Sequence, residues 1–160
     1  MSEPLALPAE ARTKLQLWHA AQARVVFTNG VYDLLHRGHV EYLEEARALG
    51  DRLVVGMNTD ASVRRLKGPS RPIMAQDDRA TVLRALACVD LVVLFDDDTP
   101  LRLIEAVQPD VLVKGGDYAV AEIVGREVVE AKGGLVTTIA LREGLATSEI
   151  VRRIREGKGA

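Results

Sequence analysis

Five apolar runs of strand length recur along the chain: "RVVFT" from Arg24, "RLVVGM" from Arg52, "DLVVLF" from Asp90, "DVLVKG" from Asp110 and "LVTTIA" from Leu135. Five buried strands are implied, because near-continuous apolar runs of this length are the pattern of strands covered on both faces. Helical periodicity fills the intervals: His39 to Leu49 closed by Gly50, Ala61 to Leu66, Asp77 to Ala87, Pro100 to Val107, Val124 to Lys132 closed by Gly133 and Gly134, and a last helix from Thr147 to the C-terminus. Thr99 is the expected cap of the helix that Pro100 opens. Buried strands alternating with helices predict an α/β, Rossmann-like, three-layer domain with a five-stranded parallel sheet and right-handed crossovers. In such a sheet ligands bind beyond the C-terminal ends of the strands. Residues 1–23 read as a separate N-terminal helical extension carrying Leu15, Leu17 and Trp18, and residues 24–160 as the domain.

Length and charge narrow the function. The 160 residues suit one domain with an ordinary core, and no repeat or low-complexity segment interrupts them. With 21 basic against 23 acidic residues the net charge is -2, so no overall field favours nucleic acid or an anionic membrane, and any bound anion must be held locally. The opening "MSEPLALPAEARTK" lacks the pattern of a signal peptide and no apolar run is long enough to span a bilayer, so the expected location is cytoplasmic. A single cysteine, Cys88, excludes an internal disulfide, and in "LRALACVDLVV" it reads as core packing, not a nucleophile. His19, on the N-terminal helix, reads as a surface or packing residue.

The candidate chemistry lies in the loops after the strands. "TNGVYDLLHRGH" follows the first strand with neither a dinucleotide fingerprint nor a P-loop. It puts His36 and His39 around Gly38 at the entry to a helix, where unpaired N–H groups and the dipole attract anions. Two imidazoles there make a phosphate clamp. The alternatives are a loop residue beside a helix-start residue, or a zinc site, which has neither a cysteine nor an obvious third ligand nearby.

"FTNGVYDLLHRGH" resembles the H-x-G-H signature of the nucleotidyltransferase superfamily that includes cytidylyltransferases and adenylyltransferases, and the likeness runs from about Arg24 to Ile154. The stretches "ARALGDRLVVGMNTDASVRRLKGPSRPI", "DDRATVLRALACVDLVVLFDDDTPLRLIEAVQPDVLVKGGDY" and "GGLVTTI" are most similar to heptose 1-phosphate adenylyltransferases, in many bacteria one half of a bifunctional kinase and adenylyltransferase. The chain has no room for a kinase domain and so resembles a stand-alone form. The resemblance implies transfer of AMP from ATP to D-glycero-β-D-manno-heptose 1-phosphate, with Mg²⁺ and release of pyrophosphate, for heptose in lipopolysaccharide core or capsule. It also implies a homodimer, to which the helix with Trp18 could contribute, and no nucleic-acid or membrane partner. A cytidylyltransferase acting on glycerol 3-phosphate or another polyol phosphate stays open, as does a nucleotide-binding regulatory protein without turnover.

The same resemblance assigns roles residue by residue. Thr28, Asn29, Gly30, Val31, Tyr32, Gly38 and the two histidines would hold the triphosphate, and Asp33 would face the acceptor unless it is a turn residue bonded to its own backbone. Lys67, in a Gly- and Pro-containing loop, matches a mobile lysine that reaches the phosphates, whereas Arg64 and Arg65 read as surface charges. Arg79, near a helix start that cations usually avoid, implies an anionic partner and faces the substrate in the family. In "LVKGGDY", Lys114, Gly115 and Asp117 would meet the nucleotide, Asp117 through hydroxyls, unless the glycines serve only a tight turn. "REGLATSEI" resembles the second signature, usually close to E-G-x-S-T-T, with Glu143, Gly144, Thr147 and Ser148 near phosphate and Ala146 in place of one expected donor; a plain N-cap pair is the alternative. No residue is assigned to a metal.

Overall fold

The computed structural model describes Glu3 and residues 5–160; Met1, Ser2 and Pro4 of the expected N-terminal extension lie outside the described residues. All five apolar runs are strands: β1 Val25–Gly30, β2 Arg52–Asn58, β3 Leu91–Phe95, β4 Val111–Gly115 and β5 Leu135–Ile139. They pair in parallel in the order β3-β2-β1-β4-β5. The chain builds outward from β1 to β3, then crosses back to place β4 on the other side of β1. The two halves therefore diverge between β1 and β4, and the loops leaving those strands open a crevice at their C-terminal ends.

Successive residues of a strand face opposite sides of the sheet, and the core divides accordingly. Val25 and Phe27 of β1 join one buried cluster with Val54, Val93 and Leu112, covered by α1 (Ala9–Ala20), α5 (Leu101–Val107) and α6 (Arg126–Glu130). Val26 joins the other with Val55, Met57 and Val113, covered by α2 (Arg37–Arg47) and α4 (Gln76–Arg84). Helix α3 (Asp60–Lys67) leaves β2, and α7 (Thr147–Arg155) follows β5 at the rim of the crevice.

Three local expectations are corrected. Pro100, not Thr99, is the N-cap of α5: its carbonyl accepts the Ile104 N–H at 2.9 Å, and its ring has no acceptor with which to cap the free N–H groups. On α1, Ala11 and Leu15 are buried and Trp18 packs against the same cluster with the Arg52 guanidinium 5.8 Å from its ring centre, but Leu17 is 64% exposed because it falls on the opposite side of the helical wheel. Lys67 is the last residue of α3 and not part of a loop; Gly68 caps the helix at φ 94, a conformation that favours glycine. Among the described residues no helix is long and apolar enough to cross a membrane. Cys88 is partly buried against the second cluster, and burial pushes its thiol up, away from nucleophilic use. His19 is exposed, its Nε2 3.0 Å from the Val107 carbonyl.

Candidate active site

The crevice holds a cavity of about 1030 Å³, ample for a nucleotide and a second substrate. Its floor is the segment after β1, which is bent sharply: Tyr32 and Leu34, neither of them glycine, sit at φ 52 and 50. Left-handed backbone at such residues costs on the order of 1 kcal/mol each and persists only when neighbours impose it. The neighbours are identifiable. Arg79 donates through Nη1 to the Val31 carbonyl at 2.6 Å and the Asn58 carbonyl at 3.0 Å, through Nε to the Met74 carbonyl, and through Nη2 to Asp60 at 2.8 Å. The anionic partner implied by a cation at the start of α4 is thus the carboxylate of Asp60. Arg79 is buried beneath the floor and does not line the cavity, which corrects its assignment to the substrate.

Asp33 is the second anchor. Its buried carboxylate accepts the Ile73 N–H at 2.8 Å, the Met74 N–H at 3.0 Å and Arg71 Nε at 3.1 Å, so it fastens the segment before α4 and not its own turn. Its carbonyl accepts the Thr147 hydroxyl at 2.8 Å, bringing α7 to the same point.

Past this bend the two imidazoles stack with ring centres 3.8 Å apart. His36 caps α2: its Nδ1 accepts the Gly38 N–H at 3.1 Å, and His39 Nδ1 accepts the His36 N–H at 3.2 Å. An Nδ1 that accepts has no proton, so each neutral ring carries its proton on Nε2 and presents it as a donor. Burial lowers both histidines, and burial with the neighbouring His36 pushes His39 down to about 4, so both rings are neutral at pH 7. Gly38 lies close against the pair: a Cβ there would lie 3.0 Å from His36 Cε1 and 3.2 Å from Leu145 Cβ, so a side chain would push on the His36 ring.

Other elements bring charge and an apolar wall. Lys67 reaches the cavity from the end of α3, and Lys114 from the end of β4, where burial lowers its pKa and its Nζ stands 5.5 Å from the Tyr118 ring centre. A Cβ on Gly115 would meet Leu141 Cδ2 at 2.8 Å and Tyr42 Cε2 at 3.2 Å, so Leu141 would have to move, and Leu141, Tyr118 and Ile123 form an apolar wall beside it.

Most of the expected site residues meet in this cavity. Asn29, Gly30, Val31, Tyr32, Asp33, His36, Gly38 and His39 line it from β1 and α2, Lys114 and Gly115 from β4, Lys67 from α3, and Glu143, Gly144, Thr147 and Ser148 from the second signature. Three expected residues do not. Thr28 is fully buried one residue below the floor, its hydroxyl 2.7 Å from that of Tyr42. Asp117 is exposed beyond the glycine turn and Arg79 lies underneath. Neither Thr147 nor Ser148 is the N-cap of α7, a place taken by Ala146, and the Thr147 proton is given to Asp33, whereas the Ser148 hydroxyl has no partner among the described residues. Arg64 and Arg65 are surface residues as expected, Arg65 pairing with Asp98.

Several lining residues were not singled out from the sequence. Arg71 stands in "GPSRPI" as a lone charge before a proline, and Arg142 pairs with Glu41 at 2.7 Å to dock the second signature on α2. The isolated charge was the available signal for Arg71. Nothing local marked Leu141 or Tyr118 as a wall.

Comparison with known proteins agrees with this arrangement. A family model described as cytidylyltransferase-like matches residues 27–153. The bifunctional protein HldE of Citrifermentans bemidjiense is 60% identical over 85% of this chain, and that of Magnetococcus marinus 55% identical over 98% of it. The chain spans 28% and 32% of the lengths of those two relatives. Among solved structures, the lipopolysaccharide core biosynthesis protein of Thermoplasma volcanium superposes with a TM-score of 0.61 at 30% identity, covering 75% of this chain and 97% of that one. With its signature histidines at the head of α2 and a matching model over residues 27–153, this chain belongs to the cytidylyltransferase-like family of nucleotidyltransferases.

Proposed function

We propose that this chain transfers the adenylyl group of ATP to D-glycero-β-D-manno-heptose 1-phosphate, giving ADP-heptose and pyrophosphate for heptose in lipopolysaccharide core or capsule. The observation that carries the reaction type is the stacked pair of neutral imidazoles, both with Nε2–H free to donate, at the head of α2. A nonbridging oxygen of the sugar phosphate attacks the α-phosphorus in line; its bond to the α–β bridging oxygen breaks, and that electron pair leaves with pyrophosphate. Charge grows on the departing oxygens. His36 and His39 would donate to them from fixed positions, and Lys67 would neutralise charge from the end of α3. No side chain has to be covalently modified.

A magnesium ion would enter with the triphosphate of ATP, since Mg²⁺ takes substrate phosphates as ligands with few or no groups from the protein. His36, His39 and Lys67 would hold the magnesium–triphosphate complex through its phosphate oxygens and not through the metal. When bound, Mg²⁺ supplies charge neutralisation between phosphate oxygens.

The heptose acceptor and the adenine base are supported by relatives named HldE at 55–60% identity and by the lipopolysaccharide core neighbour. The family's cytidylyltransferase description favours CTP as the competing reading. Pyrophosphate release should be measured with ATP or CTP against heptose 1-phosphate and glycerol 3-phosphate. ATP with the heptose should give the higher turnover. His36→Ala and His39→Ala should each lose about 100-fold or more, the effect of removing one preorganised donor worth on the order of 3 kcal/mol. A preference for CTP would overturn the base and acceptor; a histidine variant keeping about half the rate would remove that ring from the mechanism.

A further inference from the structure

A second, open recess of about 370 Å³ adjoins the main cavity and shares two lining residues with it, Arg71 and Ser148; Arg71 and Val151 are its half-buried walls and the others are exposed. It runs between the segment before α4 and the outer face of α7. We propose that this side chamber seats the polyol body of the acceptor, and that Arg71 at its mouth grips the acceptor's phosphate. The proposal rests on the reading of this chain as a sugar-phosphate nucleotidyltransferase.

In-line attack requires the acceptor to approach the α-phosphorus from the side opposite the leaving pyrophosphate, so the acceptor needs a recess of its own continuous with the nucleotide cleft. The side chamber adjoins the cleft through Arg71 and Ser148 and is lined from outside it by α7, so it offers the acceptor a place of its own. Arg71 is built into its mouth: Nε bonds Asp33 Oδ2 at 3.1 Å, and the side chains of the two residues are only 17% and 1% exposed. A guanidinium is planar, so fixing Nε fixes the direction of the remaining fork. The two terminal nitrogens take no hydrogen-bond partner among the described residues. They present a preorganised pair of donors of the kind that binds a phosphate bidentately.

The chamber behind suits hydroxyls better than a base. Ser70 and Ser148 offer hydroxyls and Arg155 donors, while Val151 supplies an apolar patch and no aromatic ring is among the lining residues to stack on a base. Arg152 is already held by Glu149 at 2.5 Å and Glu156 at 2.7 Å, so it shapes the wall without offering free charge. The chemical class is a phosphorylated polyol in which one phosphate sits at the mouth and several hydroxyls lie behind it. Asp33 then acts through Arg71, as a positioning residue for the acceptor.

The test is a kinetic split between the two substrates. Val151→Trp fills the chamber from the α7 side and leaves Asp33 and each of its hydrogen-bond donors unsubstituted. Arg71→Lys keeps the charge and loses the fork. Each should raise KM for heptose 1-phosphate about tenfold or more while KM for ATP stays within about twofold, because the lost contacts belong to one substrate. A purely structural role for either residue would move both constants together or move only the melting temperature. Either variant leaving acceptor KM within about twofold, or shifting both KM values in parallel, overturns the proposal. If the wild type works on another sugar or polyol phosphate, the heptose reading falls and the same split on that acceptor decides the chamber. If it releases no pyrophosphate with any of them, both readings fall.

Discussion

His39 shows how one residue couples stability to chemistry. Its Nδ1 must stay unprotonated to accept the His36 N–H, and its burial makes that the preferred state, with a pKa of about 4. In the unfolded chain an ordinary imidazole titrates near 6.5. Between those values the unfolded chain holds a proton that the folded one does not, so the contribution of neutral His39 is complete above about pH 6.5 and is lost as pH falls toward 4. His39→Asn retains an oxygen that can accept the His36 N–H but cannot titrate. Melting temperature measured from pH 7.5 to 4.5 should fall more steeply in the wild type than in this variant. Parallel curves would mean that His39 titrates normally and that the accepting Nδ1 has been misassigned.

At the scale of elements, the sheet is held at the end away from the site by a repeated device. Asp51, Asp90 and Asp110 each immediately precede a strand, and each accepts an N–H at the start of another: Arg24 at 2.7 Å, Leu53 at 2.8 Å and Val25 at 2.8 Å. The carboxylates stitch the N-terminal edge, where backbone donors would otherwise be unpaired. Asp90 does most, because it also accepts Arg47 Nε at 3.0 Å. Asp90→Ala leaves the N–H of fully buried Leu53 without its acceptor, which costs about 1–3 kcal/mol. The urea midpoint should drop accordingly, while kcat per folded molecule is unchanged, since the crevice is at the opposite edge. Wild-type stability in this variant would show that water replaces the carboxylate without loss.

Across the whole molecule, what was legible in the sequence was what depends on neighbours along the chain. β1 to β4 could be read because strands covered on both faces leave nearly unbroken apolar runs; β5, expected to be buried like them, is a half-exposed edge strand with Thr137 and Thr138 inside it, and only Val136 of it is buried. His36, Gly38 and His39 could be read because a helix start and its flanking residues form one local unit. The errors concern partners far away in sequence. Arg79 needed an anion, and that anion is Asp60, 19 residues back, so the substrate was the wrong place to look. Asp117 and Thr28 sit beside residues that line the cavity, yet one points past the turn and the other below the floor. Arg71 could not be weighed at all without knowing that Asp33, 38 positions earlier, waits for it.

Asp33 is where these long-range ties converge, joining the loop after β1, the segment before α4 and the start of α7 through four hydrogen bonds. Its carboxylate oxygens accept from three donors and donate to none. Asp33→Asn replaces one oxygen with an amide nitrogen, so at least one of these buried donors faces another donor, at a cost of about 1–3 kcal/mol. If Asp33 positions the loops, the variant should melt at a lower temperature and lose affinity for the sugar phosphate, because the Arg71 fork is no longer held. If instead its carboxylate binds acceptor hydroxyls directly, the protein should melt near the wild-type temperature and lose turnover alone. Melting temperature and acceptor KM measured on the same preparation separate the two, and we expect both to shift together.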